Sequence, residues 1–111
     1  MDLNDIETAV AKWASRQARV RRLYLYRSRV RGTDHPDSDV DVAIEIIPAA
    51  GDSGALATWM HESATLAASL AQVLLVPLHL EWYGGPGVTP TVHQGLMAGS
   101  RIVYELVEGE S

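Results

Sequence analysis

Two aspartates, Asp39 and Asp41, stand two positions apart in the run Ser38-Asp39-Val40-Asp41. On a strand that spacing sends both carboxylates to one face. Side by side they repel and cost stability unless something positive lies between them. A hard divalent cation such as Mg2+ meets that demand with oxygen ligands and keeps positions for phosphate oxygens. Taken alone, an Asp-x-Asp pair is also compatible with two exposed edge-strand acids, but the surroundings add to it. Ten residues separate Ser28 from Asp39, and Arg29 and Arg31 lie among them. A hydroxyl and backbone amides at a strand end can hold phosphate oxygens, while guanidinium groups neutralise a triphosphate. A third acid, Glu81, follows His79 at strand spacing. If the strands carrying Asp41 and Glu81 are neighbours, Glu81 reaches the aspartate pair. Three carboxylates around two Mg2+ ions suit in-line phosphoryl or nucleotidyl transfer: one ion bridges the triphosphate, the other activates an acceptor hydroxyl.

Those residues must be positioned by a small set of elements. Asn4 followed by Glu7 has the form of a helix N-cap with an N3 carboxylate that can reach back to it, and Ile6, Val10, Trp13 and Ala14 recur at helical spacing, predicting a helix from 5 to about 18. Val20 to Tyr26, rich in branched and aromatic residues, predicts a strand, and Gly32 to Ser38 has loop chemistry. Asp39 to Ile47 alternates in period two, with Val40, Val42, Ile44 and Ile46 toward the core, until Pro48 stops it. A stripe of Leu56, Trp59, Met60, Ser63, Ala67, Leu70 and Leu74 predicts a core-packed helix from about 54 to 74. Leu78, Leu80 and Trp82 give a third strand, with Leu80 and Trp82 facing the core and Glu81 facing away. Thr91 to Gly99 reads as a short helix and Ile102 to Val107 as a last strand. The expected fold is α/β (α+β), with helices packed on a small mixed sheet.

Composition bounds the rest. A chain of 111 residues, 47% hydrophobic, suits a single domain over 1–111. It has no cysteine, which excludes a disulfide framework and any thiolate metal site. There is neither a secretory leader pattern nor an apolar run long enough to span a membrane, so a cytoplasmic location is expected. Eight of the nine basic residues fall between Lys12 and Arg31, where there is no acid, although the net charge is −5. That polarity points to an anionic ligand near the basic stretch or to a basic partner for the acidic remainder. Nucleic acid is a poor candidate, because the remainder is acidic and aromatic residues for base stacking are few.

The segment resembles the minimal nucleotidyltransferases of the DNA polymerase β-like superfamily, the type that acts as antitoxins. Their motif is Gly-Ser, ten residues, then Asp-x-Asp, and this chain has Arg27-Ser28, ten residues, then Asp39-Val40-Asp41. Ser28-Arg29-Val30-Arg31-Gly32 and Ser38-Asp39-Val40-Asp41 both fall in register with it, and the ending Ile102-Val103-Tyr104-Glu105 is similar too. The resemblance implies a polymerase β-like nucleotidyltransferase fold. It implies Asp39, Asp41 and Glu81 as catalytic metal ligands for two Mg2+ ions. It also implies Arg27, Ser28, Arg29 and Arg31 at the nucleotide. The implied reaction is transfer of AMP from ATP to a hydroxyl, commonly a tyrosine, of a HEPN-type toxin that completes the site.

Two positions depart from the pattern. The motif glycine is Arg27, whose Cβ and long side chain enter the space where phosphate approaches the backbone, a steric argument for impaired activity. Glu81 stands where aspartate is usual, one methylene longer. A different class of function follows if Arg27 ends catalysis: a binding module that neutralises its partner by covering it. A small sheet with exposed edges also favours a homodimer or hetero-complex. Of the histidines, His35 lies in the loop near the expected site and His79 is in phase with Glu81. His61 and His93 read as helix-surface residues.

Overall fold

The computed structural model describes residues 3–26, 40–74 and 77–106. Along the chain these form α1 (Leu3–Ala14), β1 (Val20–Tyr26), β2 (Val40–Ile46), α2 (Ala55–Ala71), β3 (Leu78–Trp82), α3 (Pro90–Ala98) and β4 (Ser100–Glu105). The four strands make one mixed sheet in the order β3-β2-β1-β4. Strand β1 runs antiparallel to both β2 and β4, and β2 pairs with β3 in parallel, with α2 as the crossover. The expected α/β class and mixed sheet are borne out. No helix among the described residues is long and apolar enough to cross a membrane.

Alternation along β2 divides the sheet into two faces. Val40, Val42, Ile44 and Ile46 pack with Leu23 and Leu25 of β1 beneath Ile6, Val10 and Trp13 of α1 and Leu66 and Leu70 of α2. Leu80 and Trp82 join this core partly buried, on the side expected for them. On the opposite face Tyr24, Tyr26 and Ala43 pack beneath Val92 and Leu96 of α3.

Three local expectations are corrected. Helix α1 starts at Leu3 and so contains Asn4, which therefore is not its N-cap. Glu7 does not reach back but receives Arg101 Nη1 on both carboxylate oxygens, at 2.9 and 3.1 Å, tying α1 to β4. The charge-assisted pair is the stronger use of that carboxylate. The same helix ends at Ala14 rather than near 18: Ser15 Oγ donates to the Lys12 carbonyl at 2.8 Å, and Arg16 and Gln17 bond three residues back, tightening the last turn. In α2 the buried side chains are Thr58, Leu66 and Leu70, whereas Leu56 is 49% and Met60 71% exposed. The apolar stripe is wider than the contact face, because small residues such as Ala64, Ala68 and Ala71 occupy the outer side too.

Thr58 is fully buried at the start of α2 and ties down the β2–α2 connection. Its hydroxyl accepts the Ala49 N–H at 2.9 Å and donates to Asp52 Oδ2 at 2.6 Å. The isosteric Thr58→Val leaves the Ala49 N–H without that partner. It is expected to lower unfolding free energy by about 1–3 kcal/mol in urea titrations, with an unchanged m-value.

Candidate functional site

The strand registers align one residue from each strand into a row at one end of the sheet. His79 of β3 sits opposite Asp41 of β2, which sits opposite Tyr26 of β1, which sits opposite Ser100 of β4. The next row on that face is Glu81, Ala43, Tyr24 and Ile102. The chain leaves the sheet after Tyr26 and rejoins it at Val40, so the segment carrying Arg27, Ser28, Arg29, Arg31 and Asp39 connects at this row. Those five residues and His35 lie outside the described residues.

Asp41 is buried, 8% exposed. Its position follows from the alternation of β2, in which the flanking Val40 and Val42 enter the main core and the aspartate must face the other way. His79 presents Nδ1 at 4.0 Å from Asp41 Oδ1, with its side chain 61% exposed. Glu81 lies one row further along β3, opposite Ala43. Its carboxylate accepts the phenol proton of the fully buried Tyr26. Because Tyr26 pairs with Asp41 and Glu81 with Ala43, that phenol crosses β2 diagonally, over the small Ala43 side chain.

The described part of the site thus brings Asp41 and His79 together and holds Glu81 one row away. Strands β2 and β3 are neighbours, as the approach of Glu81 required. Among the described residues, however, no three His, Cys, Asp or Glu side chains converge on a point where a cation could sit. The residues present suit Mg2+ in kind: Asp41 offers hard oxygens, and this ion is ordinarily held by one or two carboxylates with phosphate and water. Sequence reasoning had assigned no role to Tyr26. Its phase with Asp41 across an antiparallel pair was the available signal.

Further along the same face lies a second polar cluster, away from that row. Arg22 Nε donates to Glu105 Oε2 at 2.8 Å, and Nη1 lies 3.2 Å from both the Tyr24 hydroxyl and Glu45 Oε2. Tyr24 donates in turn to Glu45. The bond to Tyr24, followed by those to Glu105 and Glu45, pushes the Arg22 guanidinium above its ordinary value. The Tyr24 phenol meets Tyr83 edge-on, with ring centroids 5.6 Å apart. Tyr83 shares a 2.8 Å hydrogen bond with His93 Nδ1 and stacks on its ring. His93 is therefore a partly buried partner of Tyr83, not the plain helix-surface residue expected. His61 is exposed as expected and lies 3.5 Å from Asp52.

Comparison with solved structures places this architecture. A toxin–antitoxin crystal structure with AMP-PNP superposes with a TM-score of 0.61 at 23% identity, covering 90% of this chain and 73% of that chain. A mutant of the toxin–antitoxin MntA-HpeT gives 0.60 at 21%, with the same coverages. A Sulfolobus solfataricus protein, provisionally described as a nucleotidyltransferase, gives 0.52 at 14%, covering 98% of this chain and 85% of that one. The chain has a nucleotidyltransferase fold. The fold implied by the sequence resemblance is thereby borne out, and at these identities the likeness is one of fold. No protein-family model matches the sequence, and no curated protein does. Within the nucleotidyltransferase fold, the row through Asp41 is the end of the sheet at which the motif-bearing segment is attached.

The Arg22–Tyr24 cluster generates a pH prediction. Burial pushes the Tyr24 phenol up to about 12 from an ordinary 10.0. The folded state thus keeps a proton that the unfolded chain releases. This contribution to stability is complete below about pH 10 and is lost as the pH rises toward 12. Urea midpoints measured across that interval are expected to fall less steeply for Tyr24→Phe than for the parent chain.

Proposed function

We propose that the chain is a nucleotidyltransferase of the antitoxin type, active in the cytoplasm, which transfers AMP from ATP to a tyrosine hydroxyl of a HEPN-type toxin. The observation that carries this reading is the placement of Asp41. It is a buried carboxylate in register between Tyr26 and His79, where the segment with the Ser28, ten-residue, Asp39-x-Asp41 spacing joins the sheet. The neighbouring structures support the same chemistry. One holds AMP-PNP, and another carries two Asp→Glu substitutions two positions apart, the spacing of Asp39 and Asp41. Both are toxin–antitoxin structures, which supports a protein as acceptor.

In this reading Asp39 and Asp41 would hold the Mg2+ ions, with Glu81 of β3 as the third carboxylate. Bound Mg2+ would neutralise the triphosphate and acidify the acceptor hydroxyl. Ser28 holds the β- or γ-phosphate, and Arg29 and Arg31 balance its charge or orient the loop. The acceptor oxygen bonds to the α-phosphorus, the α–β bridging bond breaks, pyrophosphate leaves, and the hydroxyl proton passes to solvent. Tyr26 keeps the Glu81 carboxylate oriented.

Arg27 decides whether the nucleotide enters. With ATP and Mg2+ at about 100 times the dissociation constant, a thermal-shift assay is expected to report stabilisation of about 2.7 kcal/mol. Arg27→Gly is expected to shift at least as far as the parent chain, and Asp41→Asn to abolish both the shift and AMP transfer to the toxin. If neither the parent chain nor Arg27→Gly shifts, the enzyme reading fails. Neutralisation by complex formation alone then takes its place.

A further inference from the structure

We infer that the outer face of α2 docks a second copy of this chain, helix against helix and antiparallel, about a two-fold axis. What the helix lacks is charge. Glu62 is the single Asp, Glu, Lys or Arg among its 17 residues, and it lies 3.7 Å from Arg19. At about 100° per residue, the side turned away from the buried Thr58, Leu66 and Leu70 carries Leu56, Met60, Ala64, Ala67, Ala68 and Ala71. Leu56 and Met60 are 49% and 71% exposed, and Ala64, Ala68 and Ala71 are exposed as well. A surface helix turns charged and polar residues outward, and one that is apolar on every side belongs in an interior.

The order of residues along the face selects the occupant. Its large side chains, Leu56 and Met60, stand in the first two turns, and only alanines follow them. Laid parallel, two copies would set Leu56 on Leu56 and Met60 on Met60, and the alanine halves would face each other across a gap. Laid antiparallel along their full length, Leu56 comes level with Ala68 of the second copy, and Met60 with its Ala64. Each large side chain then fills the space above an alanine, at both ends at once, as an isologous contact requires.

Charge agrees with that register. Lys12 and Arg16 line, with Ser69, Gln72 and Val73, a groove of about 480 Å3 between α1 and the C-terminal end of α2. Asp52 sits at the opposite end of α2, bonded to Thr58 and 3.5 Å from His61. His61 and Gln72 are about three turns apart and so lie on one flank of the helix. A two-fold axis brings like flanks together, and Asp52 of the second copy comes level with Gln72. An acid thus meets the two cations at each end of the pair, whereas the chain's net charge of −5 opposes association through its acidic surfaces.

The test is sedimentation equilibrium from micromolar to millimolar concentration. The parent is expected to pass from 12.1 kDa to twice that mass. Ala64→Glu keeps a good helix former but sets two carboxylates across the axis, and is expected to weaken association at least about tenfold with unchanged circular dichroism. Gln94→Glu, which adds the same charge on the exposed side of α3, should associate nearly as the parent does. The chain has no cysteine, so single-cysteine variants report the register directly. Leu56→Cys mixed with Ala68→Cys is expected to form a disulfide, which needs Cα atoms within about 7 Å. Leu56→Cys alone is expected to form none, because its two copies would lie about 18 Å apart along the pair. A parent that stays monomeric throughout overturns the proposal, and the face then belongs to a different protein. A dimer that survives Ala64→Glu overturns it as well, by placing the contact elsewhere. A disulfide formed by Leu56→Cys alone overturns the antiparallel register.

Discussion

A carboxylate sits in the most buried strand of this protein, and much of the arrangement around it answers that fact. Strand β2 has β1 on one side and β3 on the other, and six of its seven residues are buried. A charge there loses hydration that nothing apolar can replace. Alternation sends Asp41 to the face opposite the main core, and its place near the start of the strand brings it to the end of the sheet. The exposed imidazole of His79 stands on one side of it and the ring of Tyr26 on the other. A residue selected for packing alone at such a position would be apolar, as Ala43 is one row further in.

The same face treats its two ends differently. Around Arg22 two carboxylates, a phenol and a guanidinium satisfy one another, drawn from β1, β2 and β4. Its members bond one another across three strands, and burial holds the Tyr24 phenol in its neutral form. At the other end of the face the buried Asp41 carboxylate lies 4.0 Å from the exposed His79 imidazole, beside the attachment points of the segment 27–39. Matched polar groups from β1, β2 and β4 staple those strands together.

Much of this was legible in the sequence. The period-two alternation of Val40, Val42, Ile44 and Ile46 told which way Asp41 faces, and the β1, β2 and β3 boundaries fall within a residue of those observed. What was not legible depends on pairing between distant segments. Parallel register between β2 and β3 is set by how α2 returns the chain, and no local pattern reveals it. Glu81 was therefore read as the neighbour of the aspartate pair, whereas the register places His79 opposite Asp41 and Glu81 one row along. The errors in helices have a similar origin. Glu7 matches a capping pattern locally, yet Arg101, far along the chain, is the better partner. Met60 has the right spacing for a core stripe, but α2 presents a narrower face to the sheet than its apolar content allows.

The charge pattern shows the same difference between sequence and space. The run from Lys12 to Arg31 reads as one basic block, yet folding divides it. Arg19 lies 3.7 Å from Glu62, and Arg22 is held between Glu45 and Glu105. Those two cations are thereby committed to acids contributed by the later, acidic part of the chain. This weakens any picture of a continuous basic surface for nucleic acid, which needs its cations available to successive phosphates. It also narrows the search for groups that could neutralise a triphosphate. Arg22 belongs to the Tyr24 cluster, one strand end away from Asp41. Arg27, Arg29 and Arg31 belong by sequence to the segment that joins the sheet beside it. Folding thus commits Arg19 and Arg22 of the block to acids, while Arg27, Arg29 and Arg31 are the cations proposed for the nucleotide. Arg27 stands at the junction, immediately after the tyrosine whose phenol holds Glu81.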